Sequence, residues 1–289
     1  MSQAPSEKPV PRPLEVPKSI GEARIDALNE LVAIVDRLRA PDGCPWDREQ
    51  TAKSVAPHLV EEAHEVVDAV ESKTEADVIE ESGDLLMGIV LLARIEEQAG
   101  RFSLADVANA VCEKLVRRHP HVFGDVQVDG AEQALNNWER IKQKEREAKQ
   151  TDSSAIAGVP AGMPALQRAK RVGEKAMSAG FRWTNVTDAL AKVGEEVREL
   201  EEVFARTGPP QDDAAREALE RELGDVLLAA AFLGNYLKID PERAARDAIR
   251  RFERRFRSVE RDCGGSLVGQ SLDTMMDAWR RAKAAEGLG

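Results

Sequence analysis

One ordered acidic pattern occurs twice in this chain and constrains its fold more than any other feature. The first copy is an EExxE motif beginning at Glu61, followed downstream by an ExGD motif beginning at Glu81. The second copy begins at Glu195 and continues with an ExGD motif at Glu222. Each ExGD motif leads into a wholly non-polar stretch, residues 85–93 and 226–233. Because carboxylates three or four positions apart share one face of an α-helix, each copy predicts two facing acidic helices.

Basic and aromatic residues follow the carboxylates in the same order in both copies. Lys114 and Arg118, four positions apart, correspond to Arg251 and Arg255. A tryptophan and a lysine then follow at the same spacing: Trp138 with Lys142, and Trp279 with Lys283. The offset between the copies is nearly constant over four separate elements, which indicates tandem duplication of a whole domain.

The composition favours packed helices. Of the 289 residues, 42% are hydrophobic and 32% charged but only 4% aromatic, which is atypical of a β-sandwich. We therefore predict an all-α fold built as a tandem repeat of two domains. The predicted parts are a disordered tail over residues 1–21, a first domain over 22–150, a linker over 151–164 and a second domain over 165–289. The linker is placed where prolines, glycines and small residues accumulate.

Turn signals divide each copy into helices. The predicted helices of the first copy cover residues 21–40, 56–71, 76–99, 103–118 and 131–149. A loop is predicted through residues 44–47, and His119-Pro120 ends the helix whose N-cap is Ser103, with Asp106 at the capping-box position. The second copy repeats this order from Ala165, with a loop at residues 180–183.

Charge, cysteine content and hydropathy exclude several classes of protein. The three cysteines are far apart and form no CxxC pair, so neither a zinc site nor a disulfide framework is indicated. A net charge of -11 argues against a general nucleic-acid binder. There is no apolar signal-peptide core, and the longest apolar runs are about half the ~20 residues that span a bilayer. We expect a cytoplasmic protein with neither membrane nor nucleic acid as a partner.

The repeated residue types describe a site for a nucleoside polyphosphate. Several carboxylates at one point repel each other unless a divalent cation neutralises them, and Mg²⁺ prefers oxygen ligands. Mg²⁺ also keeps coordination positions for substrate phosphates, whose other oxygens the basic pairs could hold. A tryptophan one turn from a lysine could stack on a base while the lysine meets a phosphate.

The ordered set of motifs resembles the two-domain MazG nucleoside triphosphate pyrophosphohydrolases. The resemblance covers most of residues 22–289, and its most specific segments are residues 43–47, 117–123 and 252–256, with both acidic motif pairs. It implies two MazG-like four-helix domains, a homodimer or tandem assembly, and hydrolysis of nucleoside triphosphates to monophosphates and pyrophosphate. The implied cofactor is Mg²⁺, with Mn²⁺ as a substitute.

Carried over by position, the resemblance assigns roles to the repeated residues. The implied metal ligands are Glu62, Glu65, Glu81 and Asp84 in the first half and Glu196, Glu199, Glu222 and Asp225 in the second. Glu61 and Glu195 would position the attacking water or act behind the metal ligands. The substrate-binding candidates are Lys192, Lys114, Arg118, Trp138, Lys142, Arg251, Arg255, Trp279 and Lys283.

The two halves differ at one position beside the carboxylates. Lys192 occupies the position that His58 has in the first half, and lysine carries a permanent charge for phosphate whereas histidine is largely neutral at pH 7. This favours the second half as the stronger catalyst. Against it, Ala218 stands where some relatives have a lysine, and extra residues within 206–215 lengthen the turn between the acidic helices.

Other interpretations remain open at this stage. One is an all-α pyrophosphatase restricted to a single nucleotide such as dUTP or dCTP, and another is a non-catalytic nucleotide-binding regulatory module. The tryptophans could equally be packing residues, and His119-Pro120-His121 is better explained as a structural turn than as a metal pair. The sequence argues against a di-iron centre because Arg198 occupies the position of His64, and a guanidinium does not ligate iron.

Overall fold

The computed structural model describes residues 18–148, 152 and 154–287, and the chain divides into two compact units between Ala148 and Lys149. These described residues form twelve α-helices and no β-strand, which confirms the all-α prediction. The helices of the first unit are α1 (Lys18–Leu38), α2 (Pro45–Glu49), α3 (Ala52–Ser72), α4 (Glu75–Gln98), α5 (Leu104–Arg118), α6 (Pro120–Phe123) and α7 (Gly130–Ala148). Those of the second are α8 (Ala165–Ser178), α9 (Val186–Thr207), α10 (Asp213–Leu237), α11 (Pro241–Asp262) and α12 (Leu272–Ala285).

The helix order of the first unit recurs in the second, with α1, α3, α4, α5 and α7 corresponding to α8 through α12. In each unit the two acidic helices, α3 with α4 and α9 with α10, share the largest contact. The predicted tail lies outside the described residues as far as residue 17, and α1 begins at Lys18. The described part of the predicted linker consists of turns and irregular backbone.

The predicted loop through residues 44–47 is wrong, since most of it belongs to α2. Pro45 occupies the first turn of this helix, where its fixed φ is already helical and its missing N–H costs nothing. The helix ends at Glu49, and the backbone of the following Gln50 is extended. A five-residue helix is too short to show a hydrophobic period, so the sequence gives only the proline as a signal.

Side-chain caps define where three helices of the first unit, α3, α4 and α5, begin. Ser103 donates its backbone N–H to Asp106 Oδ2 at 2.8 Å, and Asp106 donates its N–H to Ser103 Oγ at 3.3 Å. The predicted capping box is therefore confirmed. Two further capping boxes, Thr51 with Ser54 and Thr74 with Asp77, begin the acidic helices α3 and α4.

The core of the first unit lies at one end of the acidic helix pair. It joins α1, α3 and the second half of α4 through Val35, Val55, Val90, Leu91 and Ile95. α3 and α4 approach closely there, because a Cβ at Gly88 would lie 2.8 Å from Cδ2 of Leu59. The carboxylates occupy the rest of the pair, after Leu59 on α3 and before Gly88 on α4. The apolar contact thus holds the helices that carry the acidic residues.

A similar close approach joins α8 to α10 in the second unit. A Cβ at Gly173 would lie 2.4 Å from Nδ2 of Asn235 and 3.0 Å from the Phe232 ring. The same Asn235 Nδ2 donates to the backbone carbonyl of Lys170 at 3.2 Å. This contact falls in the last part of α10, so the first part of that helix, with Glu222 and Asp225, is free to face α9.

Many large apolar side chains lie at the surface of both units. On the acidic helices Ile79 is 67% exposed, Leu86 43% and Leu227 51%. None of the described helices combines the length and the apolar character needed to cross a bilayer.

We expect Val35→Ala to lower the free energy of unfolding by about 2 kcal/mol, because Val35 is 1% exposed in the core and the substitution leaves a cavity. Urea-induced unfolding followed by circular dichroism measures the change. Val268→Ala is the matched control, since Val268 is 93% exposed. An equal loss in both variants would contradict the core described here.

Candidate metal and nucleotide site

The acidic helices of the first unit bring three predicted metal ligands together. Carboxylate oxygens of Glu62, Glu65 and Glu81 all lie within 4.8 Å of one another. The first two are one helical turn apart on α3, and the third faces them from α4. Asp84 is not part of this group, although its negative charge helps to raise the pKa of Glu62, after the larger effect of burial. Asp84 therefore lies close enough to act on the cluster electrostatically.

The second unit forms a corresponding group with a different membership. Glu196, Glu222 and Asp225 have carboxylate oxygens within 4.8 Å of one another. Glu199 is outside this group, and its pKa is raised first by burial and then by the charge of Glu196. Each unit thus joins three of its four predicted ligands, but α3 supplies two of them in the first unit and α10 supplies two in the second.

The first group has the properties of a site for a hard cation. One oxygen of Glu62, Oε2, is buried without a hydrogen-bond partner among the described residues. The pKa of Glu65 is raised, chiefly because its carboxyl group hydrogen-bonds to Glu81. A buried carboxylate oxygen without a hydrogen-bond donor, within a cluster of acidic side chains, indicates negative charge that the described residues neutralise only in part. An all-oxygen donor set of this kind fits Mg²⁺.

Lys192 lies against the second carboxylate group. Its Nζ atom is 2.5 Å from Oε1 of Glu195 and 2.9 Å from Oε1 of Glu196. These contacts raise the pKa of Lys192, and the hydrogen bond from Lys192 lowers the pKa of Glu195. At the same position in the first unit, Nδ1 of His58 is 3.6 Å from Oε2 of Glu61. The second group therefore has a fixed positive charge next to it where the first has an imidazole.

The predicted substrate residue Arg118, on α5, contacts the predicted substrate residue Trp138 on α7. We call α7, and its counterpart α12, the closing helix of its unit. The guanidinium carbon of Arg118 is 5.3 Å from the centre of the Trp138 ring, and Nζ of Lys142 is 4.7 Å from it. Arg118 also donates to Glu145 Oε2 at 2.7 Å, while Arg117 donates to Glu145 Oε1 at 2.6 Å. One carboxylate on α7 therefore binds two adjacent arginines on α5.

The same arrangement recurs in the second unit. Arg255 donates to Glu286 Oε2 at 2.8 Å, and Nε of Arg254 is 3.5 Å from Glu286 Oε1. The guanidinium of Arg255 lies 5.9 Å from the centre of the Trp279 ring, which also contacts Phe252 at 5.2 Å. In both units an arginine predicted to bind phosphate is thus engaged with its own chain, and its role towards substrate stays a prediction.

The remaining basic candidates lie on the same helices. Lys114 is exposed on α5, Arg251 is half-buried on α11, and Lys283 is exposed on α12. Among the described residues, the ion pairs of the predicted metal ligands are made by Lys192 and by Lys73, whose Nζ is 3.1 Å from Glu81 Oε1. The roles of Lys114, Arg251 and Lys283 stay predictions.

Three residues with clear contacts were missed by sequence reasoning. Glu145 and Glu286 had a signal, because both lie seven residues after a repeated tryptophan and each copy has a double arginine before that tryptophan. Lys73 had only a weak signal, since it is a lysine in a turn eight residues before Glu81 and its partner depends on how α3 and α4 pack. His119, by contrast, behaves as expected for a structural turn: its Nδ1 is 2.7 Å from the Leu115 carbonyl oxygen.

Comparison with known proteins places the two acidic helix pairs in a known domain. A family model described as "MazG nucleotide pyrophosphohydrolase domain" matches residues 50–123 and again residues 185–259. Each matched segment contains one of the two clusters of three carboxylates. The chain belongs to the MazG family. The closing helices of this MazG protein, with Trp138 and Trp279, lie beyond both matched segments.

Full-length relatives extend the similarity over both MazG domains. A nucleoside triphosphate pyrophosphohydrolase of Escherichia coli K12 is 38% identical over 91% of this chain and 99% of its own length. The nucleoside triphosphate pyrophosphohydrolase/pyrophosphatase MazG of Thermotoga maritima is 37% identical over 89% of this chain and 96% of its own. The uncharacterized protein YabN of Bacillus subtilis is 37% identical over 88% of this chain but 51% of its own length. The predicted MazG membership and tandem repeat are confirmed.

Because Glu145 contacts two arginines, its contribution to the stability of the folded chain should depend on pH. The hydrogen bond from Arg118 is the main cause that lowers the pKa of Glu145 from 4.5 to about 2 in the folded chain. A lowered folded-state pKa stabilises above the unfolded value, and this stability is lost as the pH falls from about 4.5 towards 2. We expect Glu145→Gln to lower the melting temperature at pH 7 and to lower it less at pH 3.

Thermal unfolding at the two pH values measures this difference. Glu113→Gln, which changes an exposed glutamate on α5, is the control. If Glu145→Gln lowered the melting temperature by the same amount at both pH values, the ionised contact with the two arginines would be excluded as the cause.

Proposed function

We propose that this chain hydrolyses nucleoside triphosphates to nucleoside monophosphates and pyrophosphate in a Mg²⁺-dependent reaction. The observation that carries the proposal is the convergence of three carboxylates between two helices in each MazG domain. Hydrolase function is further supported by the relatives from E. coli and T. maritima, which are named nucleoside triphosphate pyrophosphohydrolases. Retention of carboxylates in both halves disfavours a purely regulatory, non-catalytic module.

The proposed metal ligands are the members of the two groups. Glu62, Glu65 and Glu81 would hold Mg²⁺ in the first unit, with Asp84 beside them. Glu196, Glu222 and Asp225 would do so in the second, with Glu199 beside them. A bound Mg²⁺ would supply charge neutralisation at the phosphates and an activated water, with Mn²⁺ as a substitute.

The chain's own residues would orient the attacking water and hold the phosphates. Glu195 is outside the group of three, and the hydrogen bond from Lys192 lowers its pKa, so its carboxylate stays ionised and would accept a hydrogen bond from the attacking water and orient it. Lys192, which touches Glu195 and Glu196, would hold a phosphate oxygen next to that water. Glu61 would have the role of Glu195 in the first unit, with His58 as its neighbour.

We propose that the second unit is the stronger catalyst. The fixed charge of Lys192 lies directly on its carboxylate group, and the equivalent first-unit position carries an imidazole that is largely neutral at pH 7. Phosphoryl transfer depends on positioned positive charge at the reacting groups. Lys192 contacts Glu195, the residue proposed to act on the water, which favours the second unit. In the first unit Lys73 contacts Glu81 instead, and among the described ion pairs Glu61 has only the imidazole as its neighbour.

The proposed specificity is broad, as in a house-cleaning enzyme. Trp138 and Trp279 are the aromatic groups proposed to meet the base, and stacking on an aromatic ring tolerates every base. A pyrophosphatase restricted to one nucleotide would instead require directed hydrogen bonds to the base edge. A panel of canonical and modified nucleoside triphosphates distinguishes the two.

The proposed assembly is a homodimer. Ile79 and Leu86 are seven positions apart on one face of α4 and are 67% and 43% exposed, and Leu223 and Leu227 form a similar exposed pair on α10. Apolar residues grouped on a helix face are typical of an interface between subunits. A second copy of this chain, with the same faces, supplies a matching surface.

The proposed location is the cytoplasm. Cys44, Cys112 and Cys263 are all free thiols. Free cysteines suit a reducing compartment, where disulfides are rare.

Substitution of the proposed metal ligands should lower kcat by different factors in the two halves. We expect Glu196→Gln with Glu222→Gln to lower kcat by more than about 100-fold, because even outer partners of metal ligands are worth 10- to 100-fold. Glu62→Gln with Glu81→Gln should lower it less. The measurement is release of monophosphate and pyrophosphate from a nucleoside triphosphate with Mg²⁺.

Glu201→Gln with Glu202→Gln is the matched control, since both side chains are exposed on α9 and the charge change is the same. Formation of a nucleoside diphosphate and orthophosphate by the unsubstituted chain would refute the proposed reaction. Equal losses from the two ligand pairs would refute only the preference for the second unit.

Substitution of the exposed apolar face should break the proposed dimer. We expect Ile79→Glu with Leu86→Glu to halve the mass in solution, because buried glutamates at an interface lose their hydration. Light scattering after size-exclusion chromatography measures the mass. Val268→Glu, in an exposed loop, should leave it unchanged, and a monomeric unsubstituted chain would contradict the proposal.

A further inference from the structure

Lys73 lies next to the three clustered carboxylates of the first unit, Glu62, Glu65 and Glu81. It caps the C-terminus of α3 in the turn that leads into α4. Its Nζ atom is 3.1 Å from Oε1 of Glu81 and 3.9 Å from Oδ2 of Asp68. Glu81 is one of the three grouped carboxylates, and its side chain is only 15% exposed. The ammonium group therefore contacts an oxygen of the proposed metal site itself.

The second unit brings a lysine to its group from a different element. Lys192 lies within the acidic helix α9 and contacts Glu196 at 2.9 Å. In the first unit that position is His58, which is 3.6 Å from Glu61. The turn between α9 and α10 carries no lysine or arginine over residues 208–212. Among the residues that the structure describes, each unit thus has one lysine that forms an ion pair with its three clustered carboxylates, supplied by the turn in the first unit and by the helix in the second.

The contact between Lys73 and Glu81 can be exchanged for a contact with phosphate. A cation bound by the three carboxylates would neutralise Glu81 and weaken its attraction for the ammonium. The Lys73 side chain is 37% exposed, flexible, and carries three hydrogen-bond donors on a compact charge. A phosphate oxygen next to the carboxylates would then compete for the ammonium group with Asp68, whose Oδ2 is 3.9 Å from Nζ.

We propose that Lys73 is the phosphate-binding lysine of the first unit. Lys73, in the turn between α3 and α4, would have the role in the first unit that Lys192, within α9, has in the second. The inference rests on the proposed function of the chain as a nucleoside triphosphate hydrolase. It gives the first unit a permanent positive charge that position 58 does not supply. The first unit then binds the phosphates of a nucleotide with its own lysine, in a geometry different from that of the second.

The test uses the full chain with Glu196→Gln and Glu222→Gln, so that binding reports on the first unit. Calorimetry measures binding of Mn²⁺ alone, and then of the non-hydrolysable α,β-methylene analogue of ATP with Mg²⁺. We expect Lys73→Met to tighten Mn²⁺ binding by about threefold, because a positive charge near the ligands is removed. The same substitution should weaken binding of the analogue by about tenfold, because a charged hydrogen bond to phosphate is lost.

Two companion variants separate this role from a simple ion pair. Lys73→Arg keeps the charge and should restore most of the affinity for the analogue. Lys53→Met removes an exposed lysine from the other end of α3 and should change neither measurement. Circular dichroism checks folding, which the loss of one partly exposed ion pair should not disturb.

Unchanged binding of the analogue in folded Lys73→Met overturns the inference and leaves Lys73 as a partner of Glu81 only. Equal weakening in Lys53→Met also overturns it, because net charge alone would then explain the effect. These failures are distinct from that of the proposed function, which fails if the unsubstituted chain does not release pyrophosphate from nucleoside triphosphates.

Discussion

Repulsion among carboxylates that meet between two packed helices is the constraint on which the rest of this structure depends. The first unit brings Glu62, Glu65 and Glu81 together. Burial, followed by the charges of Asp84 and Glu81, raises the pKa of Glu62, and a hydrogen bond to Glu81, followed by its charge, raises the pKa of Glu65. The helices tolerate this repulsion because the apolar contact of Leu59 with Gly88 joins them farther along. Lys73 and Lys192 each offset part of the charge. In the first unit the apolar core, the acidic side chains and the nearby lysine are therefore interdependent.

The sequence predicted the helices well because their signals are local. Apolar periodicity, turn residues and the Ser103–Asp106 capping box act within a few positions of each other. Helix α2 was missed because five residues show no period. Carboxylates at helical spacing could be assigned to one site for the same local reason. Which three of four predicted ligands meet could not be predicted, since that depends on side-chain conformations and on how far each helix pair is rotated.

Contacts between distant positions account for what the sequence left out. Arg118 and Arg255 looked available for phosphate, yet each is held by a glutamate: Glu145 on α7 for Arg118, and Glu286, directly after α12, for Arg255. The partner of a charged residue is fixed by packing between helices, which a single sequence does not reveal. The same holds for Lys73 and Glu81. The duplication also concealed these differences, because matching motifs suggested matching sites while the two halves use different elements to supply a lysine.

The turn between α3 and α4 has a consequence for how the two halves can vary. Only Lys73 and Thr74 separate these helices, so the base of the lysine side chain keeps a fixed position relative to Glu81. Five residues separate α9 from α10, beginning with Gly208 at a φ of 66°. Because Lys192 is anchored within α9, that longer segment can gain or lose residues without moving the charge. Insertions should therefore accumulate in the second connection and be rejected in the first.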